Sequence, residues 1–76
     1  MYSLLMQGVM REWENSLYQH EEGMFTPEEF EPRIAIWEVA MATQGARDVW
    51  ALRRQTFAPS FRAEIDRIVA EVEQAQ

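Results

Sequence analysis

A chain of 76 residues is enough for one domain and no more, here taken as residues 1–76. Its net charge of −6 opposes binding to a nucleic-acid backbone or to an anionic membrane surface. The absence of cysteine excludes disulfides and thiolate metal sites, so any core must hold by packing alone, and a core this small rarely supplies more than ~3–5 kcal/mol without help.

The first helix is expected from about residue 3 to residue 20. Tyr2, Met6, Val9, Trp13 and Leu17 recur at helical spacing and form its apolar stripe, flanked by Leu5 and Met10. Gly8 inside this run costs roughly 1 kcal/mol relative to Ala, and the spacing predicts a close helix approach there. The other face carries Leu4, Arg11, Asn15, Tyr18 and Glu22, where a purely charged stripe would be usual. The run Leu4–Met10 contains Gln7 and Gly8, is too short to cross a bilayer and has no basic flank of a signal peptide, so the chain reads as soluble and cytoplasmic. Gly23 is a natural left-handed terminator for this helix.

The second helix, expected over residues 27–44, has the best-marked start. Thr26 is the N-cap, Pro27 suits the first helical position, and Glu29 completes a capping box. Phe25 and Phe30 occupy the positions of a hydrophobic staple. Phe30, Ile34, Trp37 and Met41 then form one stripe, while Ile36 and Val39 lie well off it with Ala35, Ala40 and Ala42 between. A helix apolar around most of its circumference is normally covered on more than one side. Pro32 removes the N–H that the Glu28 carbonyl would accept, which predicts a bend nearby.

Gln44-Gly45 is expected to end the second helix. A third follows over residues 47–55, with Val49, Trp50, Leu52 and Arg53 facing or lining the core. Pro59 opens a fourth over residues 59–75. There Phe61, Ile65, Ile68 and Val72 make one stripe, and Arg62–Asp66 and Arg67–Glu71 form i,i+4 pairs on the other face. No alternating β-branched run or hairpin dipeptide occurs, so the fold class is all-α, a small bundle of four helices joined by short connections.

Arg11-Glu12-Trp13-Glu14-Asn15, Tyr18-Gln19, Pro27-Glu28-Glu29-Phe30, Val49-Trp50, Arg53-Arg54, Phe57 and Pro59-Ser60-Phe61 together give the chain a recognisable pattern over roughly residues 11–72. It resembles the C-terminal helical region of a group of small uncharacterised bacterial proteins in which one transmembrane helix precedes such a region. The resemblance implies a helical fold and brings no activity with it. The membrane helix of that group has no counterpart here.

Chemistry-bearing constellations are sparse. His20 is the single histidine, and position 17, where a Glu-x-x-His metal motif needs Glu, is Leu17. Glu28 and Glu29 are explained by capping, no Ser or Thr has a nucleophile context, and no Gly-rich phosphate loop is present, so neither a catalytic residue nor a cofactor or metal site is expected. Trp13, Trp37 and Trp50, one per helix, read as core anchors. Asn15, if buried beside Tyr18, would need partners and could fix helix register.

Charge is segregated: residues 1–46 hold eight acids and two arginines, whereas residues 47–76 hold five of each. The expected function is a non-enzymatic interaction module that dimerises and binds a protein partner, using Leu4, Arg11, Asn15, Tyr18, Ile36 and Val39 for self-association. The alternative is a small phage-type inhibitor. It would present the acidic surface Glu12, Glu14, Glu21, Glu22, Glu28, Glu29 and Glu31 to a basic groove.

Overall fold

A computed structural model describes residues 2–75. Four helices follow one another: α1 (Tyr2–Glu21), α2 (Pro27–Met41), α3 (Gln44–Arg53) and α4 (Pro59–Ala75), with a short 3₁₀ turn, Arg54–Thr56, before α4. No strand occurs among the described residues.

Helix ends follow local chemistry closely at three places. At the end of α1, Gly23 takes a φ of 82°, its N–H donates to the His20 carbonyl, and the Met24 N–H donates to the Gln19 carbonyl. That pair of bonds is a Schellman closure, which only a residue tolerating positive φ allows cheaply. At the start of α2, the Glu29 N–H donates to Thr26 Oγ1 at 3.2 Å and the Thr26 N–H donates back to Glu29 Oε1 at 3.0 Å. The helix then runs unbroken through Pro32. α4 begins at Pro59, as its fixed φ favours.

The junction of α2 and α3 departs from expectation. α2 stops at Met41, and Thr43 becomes a cap for α3: its Oγ1 accepts from the Ala46 N–H at 3.3 Å and donates to the Ala40 carbonyl at 2.8 Å. Gly45 therefore lies in the first turn of α3 and terminates nothing. The open C-terminus of α2 is closed from outside by Arg47, a buried side chain whose Nη1 donates to the Met41 carbonyl at 2.9 Å and whose Nη2 donates to Gln44 Oε1 at 3.0 Å. A cation at the negative end of a helix dipole is favourable, and both acceptors are neutral, so no buried carboxylate is needed.

One core joins all four helices. Its spine is a chain of rings: Trp13 stacks on Trp37 at 5.8 Å between centroids, Trp37 meets Phe30 and Phe61 edge-on, and Phe61 meets Trp50 edge-on at 5.6 Å. Phe57, from the segment after the 3₁₀ turn, packs on Trp50 and Phe61. Edge-on and offset ring pairs of this kind contribute beyond their buried area. The three tryptophans are core anchors, as their one-per-helix spacing indicates.

α1 is rotated relative to the expected stripe. Met10, Trp13 and Leu17 are buried with Met6 half-buried, while Val9 and Leu5 point to solvent. Tyr2 lies outside the residues whose side chains are described. Gly8 is exposed, and nothing lies within 4 Å of where its Cβ would be, so no helix approaches closely there. In α3, Ala46, Arg47, Val49 and Trp50 are buried and Leu52 is not.

Candidate functional site

Two open faces flank α1. The first is a groove of about 480 Å³ between α1 and α4, lined by Arg11, Glu14, Asn15, Tyr18, Glu21, Ala58, Ser60 and Phe61. Its side chains are largely occupied in holding the fold. The Arg11 guanidinium covers the Phe57 ring at 4.2 Å, Nη1 donates to the Thr56 carbonyl and to Glu14 Oε1, both at 3.1 Å, and Nη2 donates to Thr56 Oγ1. Glu14 Oε2 accepts the Ala58 N–H at 2.7 Å. Phe61, three residues on, offers no acceptor for this N–H, so a carboxylate from α1 does at the start of α4 what Glu29 does for Thr26 in α2. Ser60 Oγ reaches Glu21 Oε1 at a long 3.5 Å.

Arg11 thus clamps α1 to the 3₁₀ turn while its side chain stays about half exposed. Asn15 is exposed, so the buried, register-fixing asparagine is not found, while Tyr18 is exposed on the groove rim. Glu14 is half-buried and bonded to Ala58, while Glu29, bonded to Thr26, stays exposed. The Thr26 backbone N–H, then its hydroxyl, hold the Glu29 carboxyl below its ordinary value. Glu12, Glu21, Glu22, Glu28 and Glu31 stay exposed and form no ion pair among the described residues.

The second face belongs to α2 and the adjoining flank of α1. Ile36 and Val39 are 60% and 73% exposed, and with Ala35 and Ala40 they line a shallow apolar depression of about 360 Å³. Beside it, a cleft of about 230 Å³ lies between α1 and α2, lined by Glu12, Trp13, Ser16, Arg33, Ile36 and Trp37. Leu4 is exposed as well, but its spacing from Arg11, Asn15 and Tyr18 puts it on the groove side of α1. The six association residues therefore divide between two faces.

Further features were not legible in the sequence. Asp66 does not pair with Arg62; its Oδ1 accepts from Trp50 Nε1 at 2.9 Å and from Arg54 Nε at 3.2 Å, and its Oδ2 pairs with Arg54 Nη2. The Arg54 guanidinium holds the Asp66 carboxyl below its ordinary range against partial burial, and Trp50 adds to the lowering. Arg62 turns to Gln55 Oε1 and the Phe57 carbonyl instead. His20 stacks flat on Phe30 with centroids 4.1 Å apart. No three His, Asp or Glu side chains among the described residues converge on a point where a metal ion would sit, and no described helix is long and apolar enough to cross a membrane.

No protein family matches this chain, and no curated protein or solved structure is significantly similar to it.

Proposed function

We propose that this chain is a non-enzymatic helical interaction module of the cytoplasm that works as a homodimer and engages a protein partner. The observation that carries the reading is the exposure of Ile36 and Val39 on the outer side of α2, where a lone bundle gains nothing from branched apolar side chains. The total accessible area, 4923 Å², is close to the ~4,900 Å² usual for a monomer of this mass. The fold is thus compact by itself, and its anomaly lies in what it presents to water. Burying a branched aliphatic side chain is worth about 1.5–3 kcal/mol, and a two-fold interface gains each such residue twice.

Light scattering at micromolar concentration tests this. The wild-type chain is expected at twice its monomer mass, and Ile36→Glu with Val39→Glu at the monomer mass with unchanged helical circular dichroism. A wild-type chain that is monomeric and folded at those concentrations overturns the reading.

A second reading, an acidic inhibitor of a basic groove, draws on Glu21, Glu22, Glu28 and Glu31, which gather around the α1–α2 connection and remain free of ion pairs among the described residues. It predicts capture of an Arg/Lys-rich protein with affinity falling steeply with salt. Salt-insensitive binding removes it.

A further inference from the structure

The face used for pairing has a definite extent and a charge pattern. Trp13 stacks on Trp37, and His20 stacks on Phe30 seven residues nearer the connection on each helix, so α1 and α2 run antiparallel. Moving back along α1 from Glu12 therefore runs beside moving forward along α2 from Arg33. Val9 lies three residues before Glu12 and Leu5 four before that, which puts them on Glu12's side of α1. Ile36 lies three residues after Arg33, followed by Val39 and Ala40. Val9, Ile36, Val39 and Ala40 thus lie on the side of the cleft where Glu12 and Arg33 sit, and Leu5 extends that side about one turn past the end of α2.

Size requires both helices. α2, with 15 residues, is about 22 Å long and about 10 Å wide. A stable interface takes about 800 Å² from each partner. One helix face falls short of that, and two helices side by side approach it.

Charge selects the occupant. Glu12 is exposed, and neither it nor Arg33 forms an ion pair among the described residues. The Arg33 guanidinium lies over the Phe25 ring at 4.4 Å, with its Nε buried and without an acceptor, so its terminal Nη groups are what it can offer outward. A cation so stacked still offers its N–H edges to a carboxylate. Glu12 stands on the α1 side of this face and Arg33, which also feels Glu29 one turn before it, on the α2 side, so a two-fold copy can set Glu12 against Arg33 in both directions.

We infer that two copies of this chain pair isologously through the α1–α2 face, burying Leu5, Val9, Ile36 and Val39, with Glu12 of each copy bonded to Arg33 of the other. This rests on the self-association proposed above and specifies which face and which contacts make it. The α1–α4 groove, with Tyr18 and Asn15, stays open in the dimer.

Charge reversal tests the reciprocity. Glu12→Arg places Arg against Arg twice in a homodimer, and Arg33→Glu places Glu against Glu twice. Each is expected to weaken dimerisation about tenfold or more in sedimentation at low salt. Mixing the two variants restores both pairs across the interface, so the mixture is expected to form a heterodimer within about threefold of the wild-type affinity. An ion pair inside one copy gives no such rescue. Circular dichroism of each variant checks folding, and Glu12→Gln with Arg33→Gln repeats the weakening without repulsion should a reversal unfold the chain. A wild-type monomer removes the parent reading and this one with it. A wild-type dimer whose affinity ignores both reversals, or which Tyr18→Glu disrupts while Val9→Glu does not, overturns this face and leaves self-association standing.

Discussion

In α4 the side chains that face away from the core are tied to one another. Arg67 bridges Glu64 and Glu71 on its own helix, and Asp66 joins Trp50 of α3 and Arg54 of the 3₁₀ turn. In α2 the outward positions hold Ala35, Ile36 and Val39, and none of its carboxylates forms an ion pair among the described residues, Glu29 being bonded to Thr26 instead. The α3–α4 part is charge-neutral and several of its charged groups pair within it; the α1–α2 part carries the whole net charge and exposed apolar side chains. Both halves close the same core through Trp37 and Phe61. Folding stability and surface character are therefore separable here: the core needs one side of each helix, and the two halves differ in what they place on the other.

The largest break in this comparison is expected from Trp37→Ala. Trp37 is buried and meets Trp13, Phe30 and Phe61, so its loss strikes both halves at once. Truncating such a residue costs about 3–5 kcal/mol, comparable to all the stability a core of this size provides. Far-UV circular dichroism should find the variant largely unfolded at 25 °C; a cooperative urea transition near the wild-type midpoint would show that the rings do not link the halves.

Asp66→Ala isolates the α3–α4 side. It strands the Trp50 indole N–H and leaves Arg54 without its partner, for an expected loss of about 1–3 kcal/mol at pH 7 by urea unfolding. Because the folded-state Asp66 carboxyl titrates below its unfolded value, its contribution is present above the unfolded pKa and is lost as pH falls through the folded one. The gap between wild type and variant should thus narrow below about pH 4. A gap equally wide at pH 3 would place the effect in lost packing.

The smallest expected effect has the opposite sign. Gly8→Ala meets open space, so it should stabilise α1 by roughly 0.5–1 kcal/mol, read as a higher urea midpoint. A lower midpoint would restore the close approach that the glycine's place in the helix had indicated.

What the sequence by itself determined is local. The Thr26–Glu29 box, the Gly23 closure and the Pro59 start are written within six residues of the places they act, and the stripe of α4 has few rivals at its period. Exposure of Leu4, Tyr18, Ile36 and Val39 was legible for the same reason, since each lies off its helix's dominant stripe.

The tertiary structure decided everything with two competing local answers. Along α1, Leu5, Met6, Val9 and Met10 satisfy either of two neighbouring faces at helical period, and the packing of α3 against α1 goes with burial of Met10 over Val9. Thr43 could continue α2 or cap α3, and the bond from Arg47 to the Met41 carbonyl favours the cap. Asp66 had Arg62 one turn away, yet Trp50 and Arg54, distant in sequence, take it because they reach it from a partly buried side. Short-range chemistry sets where a helix starts; which side it buries is fixed by what folds against it.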